Sequence, residues 1–181
     1  MLRNGLPGTA VLDGVVFNKI REATGGELRV AMSGGASLAK DTKEFLGMVL
    51  CPLINGYGMT ETSGMGLFGD PLAWSPQGQG EPPCGVEIKL VDYAEAGYFV
   101  ANAKPQGEVW IRGPAVMKRY FEMPELTKEA FGPEEWFKTG DIGQWEKDGQ
   151  LSIIDRKKNL IKTLNGEYIA LEKVTTMMMP K

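Results

Sequence analysis

Leu28-Arg29-Val30-Ala31-Met32-Ser33-Gly34-Gly35-Ala36-Ser37 is the stretch on which the fold turns. Its first five residues are mostly apolar and β-compatible and run directly into glycines, so they predict a strand ending in a glycine loop. Upstream, Leu12, Val15, Val16, Ile20 and Ala23 recur at helical spacing, and Gly25-Gly26 supplies a left-handed stop. Downstream, Ser37 can cap a second helix over about residues 38–48 with Leu38, Phe45 and Leu46 inward. Residues 49–54, Val-Leu-Cys-Pro-Leu-Ile, then read as another buried strand. The order αβαβ predicts a slice of parallel sheet with crossover helices.

Residues 55–85 shift to Gly, Pro, Met and Ser without a sustained period and read as loop. Short strands with turn signals follow at 86–91 and 107–112. A hairpin joins 142–145 to 151–154 around Asp148-Gly149. This second part is expected to be a small antiparallel β unit. Basic residues cluster at Arg156-Lys157-Lys158, and a last helix is expected to begin at Leu171.

The 181 residues hold 20 Lys and Arg, 23 Asp and Glu, and no histidine, for a net charge of −3. Without an imidazole, Ser-His-Asp or Cys-His nucleophile systems, His-ligated zinc and a His general base are excluded. The weak acidity offers no basic footprint for nucleic acid. Two cysteines, Cys51 and Cys84, cannot make a disulfide framework and read as reduced structural thiols of an intracellular protein. No classical secretion signal and no membrane-spanning run is expected. The 24 glycines are an excess, so some backbone must bend tightly or approach a ligand.

Two glycine loops follow successive strands at one sheet edge, where open α/β sheets take ligands. Ser33-Gly34-Gly35-Ala36-Ser37 would offer free amides at a helix start. Alone it reads better as an ordinary tight βα turn, being neither a Walker loop nor a dinucleotide fingerprint. The second loop, residues 55–64, combines Tyr57 to stack on a base, hydroxyls for a phosphate oxygen, and Glu61 able to hold Mg²⁺. Glu61 could equally be a solvated loop acid and Tyr57 a core aromatic. Asp141, after Thr139-Gly140, could accept both hydroxyls of a ribose diol or be a plain turn residue. Asp155, beside Arg156, could belong to a solvated linker.

Taken in order, Ser33-Gly34-Gly35-Ala36-Ser37-Leu38, Gly56-Tyr57-Gly58-Met59-Thr60-Glu61-Thr62, Gly107-Glu108-Val109-Trp110-Ile111-Arg112-Gly113, Trp136-Phe137-Lys138-Thr139-Gly140-Asp141 and Ile154-Asp155-Arg156-Lys157-Lys158-Asn159-Leu160-Ile161-Lys162 with Asn165-Gly166-Glu167-Tyr168-Ile169 resemble AMP-forming acyl-CoA synthetases of the adenylate-forming superfamily. The long-chain fatty acid-CoA ligase branch is the most similar. The resemblance implies ATP, Mg²⁺, CoA and a long-chain fatty acid as reactants and cofactor, with acyl-AMP as intermediate. It implies that Gly34, Gly35 and Ala36 flank the adenine, that Tyr57 stacks beside it in the loop of Gly58, and that Thr60 meets the α-phosphate. Glu61 would bind Mg²⁺, Asp141 would hold the ribose diol with support from Arg156, and Asp155 would be the hinge of a C-terminal domain. Asn165, Gly166 and Glu167 would form the loop that approaches CoA.

The implied fold is the tail of a doubly wound α/β subdomain (residues 1–75), an antiparallel β subdomain (76–154), and the hinge and start of a C-terminal α+β domain (155–181). The family's phosphate loop and C-terminal lysine have no counterpart here. The chain is therefore expected to be a fragment, inactive alone, of an intracellular enzyme that is cytoplasmic or peripheral to endoplasmic reticulum, peroxisome or lipid droplet. The competing reading is a noncatalytic AMP or acyl-adenylate binder or interaction fragment.

Overall fold

The computed structural model describes residues 13–35, 38–72, 74, 78–162 and 168–170. A π-helical turn, Asp13–Phe17, leads into α1, Asn18–Ala23. The Gly25 amide donates to the Glu22 carbonyl at 2.9 Å and the Gly26 amide to the Arg21 carbonyl at 2.8 Å, with both glycines at positive φ. This is the glycine stop expected from the sequence. Strand β1, Ala31–Gly34, pairs in parallel with β2, Leu53–Tyr57, through the crossover helix α2, Lys40–Val49. The αβαβ order is as expected, and the register sets Gly34 beside Gly56.

Boundaries and faces differ from the expectation. β1 starts at Ala31 rather than Leu28, because only from Ala31 does the chain gain a paired neighbour. α2 runs to Val49, and β2 starts at Leu53 and continues through Tyr57, so part of the presumed second loop is strand. Phe45 is exposed, against the expectation that it faces inward, whereas Lys43 and Val49 are buried. Gly47 explains the face: a Cβ there would collide with the indole of Trp74, which donates to the Leu53 carbonyl at 2.8 Å. Lys43 lies one turn before Gly47 on the same face, and Phe45 sits about 200° round from Lys43. Strand β3, Leu67–Phe68, was also missed, since two residues become strand only by antiparallel pairing to Gly56 and Tyr57.

The antiparallel unit contains β4 (Glu87–Val91), β5 (Gln106–Arg112), β6 (Phe137–Trp145) and β7 (Leu151–Arg156), in spatial order β4-β5-β6-β7. A short helix α3, Pro124–Ala130, lies between β5 and β6, with proline in its first turn. The β6–β7 hairpin turns at Asp148-Gly149 as expected, with Trp145 opposite Leu151. Leu67, Leu90, Val109, Ile111 and Leu151 form its sealed core, each contributing about 1.5–3 kcal/mol on burial. Strands β8, Leu160–Lys162, and β9, Tyr168–Ala170, form a separate antiparallel pair.

Cys51 is buried and Cys84 exposed, and both are free thiols. No helix among the described residues is long and apolar enough to cross a membrane. Ser37 and the helix expected from Leu171 lie outside the described residues.

Candidate active site

The parallel pairing of β1 and β2 brings their carboxyl ends, and thus both glycine loops, to one edge. There Gly34, Gly35, Gly58 and Thr60 line a single cleft of about 430 Å³ with Met32, Met59, Ser63 and Phe68. Gly58 has no room for a side chain, since an added Cβ would run into the carbonyl of Gly64, whose amide closes the turn on the Met59 carbonyl. Between them, Thr60–Thr62 form one 3₁₀ turn. Thr62 is fully buried; its hydroxyl lies 3.2 Å from both the amide and the carbonyl of Met59, locking the turn onto its own start.

Glu61 projects from that turn and accepts a hydrogen bond at Oε1 from the Tyr120 hydroxyl, 2.9 Å away. Burial, followed by this bond to the carboxylate, raises the Tyr120 pKa and keeps it a donor. A lone carboxylate on a turn fits the donor set of Mg²⁺, a hard cation that is held by one or two carboxylates and takes its remaining ligands from phosphates and water. Among the described residues no group of three or more Cys, Asp and Glu is placed to enclose an ion.

Asp141 enters from the other sheet. Its residue is 2% exposed, yet it is bonded on both oxygens: Tyr57 Oη donates to Oδ2 at 2.8 Å, and Arg156 Nε pairs with Oδ1 at 2.9 Å. The β6–β7 register places Arg156 directly opposite Asp141. Thr139 orients this segment, accepting from the Asp141 amide at 3.1 Å and donating to the Val109 carbonyl at 2.7 Å. Burial pushes the Asp141 carboxyl above the usual aspartate range, against the hydrogen bond from Tyr57 and the charge and hydrogen bond of Arg156, which pull it down. Tyr57 is pushed far up by burial and by the Asp141 charge. Its ring packs against the hydrophobic core while its hydroxyl holds Asp141, so it joins the two sheets.

Asp155 is buried inside β7, opposite Ile142 across a β-bulge. It accepts from the Arg156 amide at 2.7 Å and from the Tyr98 hydroxyl at 3.3 Å. The Tyr98 phenol is pushed up to about 12 by burial and the Asp155 charge. Lys157 is tied to buried Glu108 at 3.4 Å and sits over the Tyr93 ring. Ala36, Asn165, Gly166 and Glu167 lie outside the described residues.

The structure thus gathers Gly34, Gly35, Gly58 and Thr60 around one cleft and links Tyr57, Asp141 and Arg156 in one chain of bonds. Tyr120 and Tyr98 hold two of these carboxylates without standing out in the sequence. Neither had a local signal, because their partners stand 59 and 57 positions away.

The cleft is lined from the β1–β3 unit alone, while Tyr57, Glu61, Asp141 and Arg156 lie outside its lining. Parallel strands that end in a glycine-lined cleft, beside a four-stranded antiparallel sheet, make a mixed α/β fold of the adenylation-domain type. The chain matches the A domain of a carboxylic acid reductase from Segniliparus rugosus in complex with AMP and a co-purified carboxylic acid, with TM-score 0.73 and 29% identity over 94% of this chain and 26% of that one. It also matches an O-succinylbenzoate coenzyme A synthetase from Bacillus subtilis, in complex with ATP and magnesium ion, with TM-score 0.70 and 26% identity over 89% and 34%. The AMP-binding enzyme family matches residues 9–121, and the chain belongs to that family. It is 49% identical to long-chain fatty acid-CoA ligase 2 of Schizosaccharomyces pombe over 96% of its length and 26% of the relative's. Against long-chain fatty acid-CoA ligase 1 of Saccharomyces cerevisiae it is 48% identical over 98% and 25%. The chain therefore spans about a quarter of the length of these relatives.

Proposed function

We propose that residues 1–181 are the adenylate-handling portion of a long-chain fatty acid-CoA ligase. The observation that carries this reading is the convergence of both glycine loops and Thr60 on one cleft, in a chain so similar to such ligases. The α/β unit is then the tail of a doubly wound subdomain, the four-stranded sheet a second subdomain, and β8 and β9 the start of a C-terminal α+β domain hinged at Asp155.

In this reading Gly34, Gly35 and Ala36 flank the adenine, Tyr57 borders it, and Asp141, steadied by Tyr57 and Arg156, accepts the ribose diol. The fatty acid carboxylate attacks the α-phosphorus beside Thr60; the new bond is a mixed anhydride, and pyrophosphate leaves with the electron pair of the broken P–O bond. Glu61 is the residue that would hold Mg²⁺, which supplies positive charge to the phosphate oxygens when bound. CoA thiolate then attacks the acyl carbon and AMP leaves, with Asn165, Gly166 and Glu167 on the CoA side. Positioning and charge neutralisation suffice for both steps, consistent with a chain that has no histidine. The same reading places the protein inside the cell, in the cytoplasm or peripheral to endoplasmic reticulum, peroxisome or lipid droplet.

The test is fatty-acid-dependent ATP-pyrophosphate exchange by the full-length protein. Asp141→Ala is expected to lower kcat/KM for ATP about a hundredfold, the loss of two charge-assisted hydrogen bonds of about 1.5 kcal/mol each. An unchanged kcat/KM refutes the ribose role. The 181-residue chain alone is expected to be inert, and the noncatalytic binder is the second reading, favoured by the presence of adenine loop and ribose carboxylate in one short chain. Calorimetric binding of AMP without exchange activity would support that reading, and no binding at millimolar AMP would remove it.

A further inference from the structure

We propose that Tyr120 is a positioning residue for Glu61, and that residues 113–120 form a strap holding the acidic turn against the nucleotide cleft. The inference rests on the reading above, in which Glu61 holds the Mg²⁺ of Mg-ATP. Three bonds at successive points of the strap carry it. The Ala115 carbonyl accepts from Ser63 Oγ at 3.0 Å, the Met117 amide donates to the Glu61 carbonyl at 2.7 Å, and Tyr120 Oη donates to Glu61 Oε1 at 2.9 Å. The first two tether the turn on either side of Thr62, through the Ser63 side chain and the Glu61 backbone, and the third fixes the carboxylate itself.

The turn needs such support. It is a single 3₁₀ turn, and Ser63, immediately after it, is held in the left-handed region at φ 52°. A glutamate side chain left unheld loses up to about 2 kcal/mol of rotamer entropy when a ligand orders it. Tyr120 meets that cost in advance. Its neutral hydroxyl orients the carboxylate without cancelling its charge, and by engaging Oε1 it leaves Oε2 outside that bond. A lysine at the same place would compete with a cation.

Tyr120 is itself held from behind. Its amide donates to Thr127 Oγ1 at 3.0 Å, and Thr127 donates to the Met123 carbonyl at 2.8 Å, so the first turn of α3 sets the far end of the strap. The near end is closed by the Val116 amide on the Gly113 carbonyl at 3.1 Å. The strap joins the end of β5 to α3, and thus couples the antiparallel sheet to the metal-holding turn of the other unit.

The experiment measures Mn²⁺ affinity in the ATP complex of the full-length protein by electron paramagnetic resonance, together with calorimetric AMP affinity in the absence of divalent ions. Tyr120→Phe is expected to weaken Mn²⁺ about tenfold or more, the effect of one hydrogen bond to a charged group, while AMP affinity stays within about twofold. Glu61→Gln should weaken Mn²⁺ at least as much, and the double variant no further than Glu61→Gln alone. Unchanged Mn²⁺ affinity in Tyr120→Phe, with loss in Glu61→Gln, overturns the strap and leaves the proposed function standing. No loss in Glu61→Gln overturns both. Equal losses of Mn²⁺ and AMP affinity in Tyr120→Phe reduce Tyr120 to a structural role and overturn the proposal. Should Tyr120→Phe fail to fold, Thr127→Val, which frees the Tyr120 amide, decides: a smaller loss of Mn²⁺ affinity in the same direction supports the strap, and no loss overturns it.

Discussion

The β4–β7 sheet and the β1–α2–β2 unit solve the burial problem differently. The sheet seals Val109, Ile111 and Leu151 to 1% exposure or less, with Leu67 reaching in from β3. The α/β unit leaves Val15, Val16, Leu28, Val30, Met32, Phe45 and Met48 exposed among the described residues, and α1 buries none of its own. An antiparallel sheet can close a core with one face. A parallel pair with crossover helices needs cover on both faces, and the described residues supply part of it. The candidate site residues are divided between the two regions: the glycine loops belong to the unit that is incompletely covered, and Asp141 and Arg156 to the one that is sealed.

That contrast can be broken by truncating the core. Ile111→Ala is expected to cost about 2–5 kcal/mol in denaturant unfolding, because a buried large side chain is lost and a cavity left. A cost under about 1 kcal/mol would mean that the antiparallel sheet is not the stable region.

Asp141 sharpens the contrast at the site itself. Burial first, offset by Tyr57 and Arg156, raises its carboxyl, so it takes up a proton at a higher pH than an ordinary aspartate. Adenosine, which has the diol but no phosphate to titrate, should bind with constant affinity above that raised pKa. Below it, affinity should fall about tenfold per pH unit as the acceptor is protonated. A midpoint at or below the ordinary value of about 3.9 would contradict this. The stability sign is the reverse: a folded pKa above the unfolded one favours folding fully below the unfolded pKa, and that contribution is lost as pH rises through the folded pKa. At neutral pH the charged form of Asp141 is thus kept at some cost to the sheet.

The smallest effect is expected in the other region. Phe45→Ser should change stability by no more than about 0.5 kcal/mol, since the ring is already half exposed. A cost above about 2 kcal/mol would show that α2 packs more tightly than its exposure indicates.

Much of this contrast was legible beforehand, and the misses have local causes. The glycine stop at Gly25-Gly26 and the hairpin at Asp148-Gly149 rest on neighbours within a few residues, the parallel βαβ slice rests on the order of its elements, and all are present. Phe45 was misplaced because apolar character does not say which helix face meets a neighbour; Gly47, by admitting Trp74, decides that. Leu67-Phe68 looked like loop because its strand character exists only opposite Gly56 and Tyr57. Tyr57 could be read as core aromatic or as site residue; its ring lies against the core, and its hydroxyl reaches Asp141.

By itself the sequence determined the glycine loops at the strand ends, the acidic turn, and the aspartate beside a turn glycine. Turn and strand preferences are properties of a few consecutive residues. Only the tertiary structure decided that Tyr57 holds Asp141 across 84 positions and that Tyr120 holds Glu61 across 59. Those bonds depend on how two sheets and a strap are set against each other, and no short-range pattern in the chain encodes that distance.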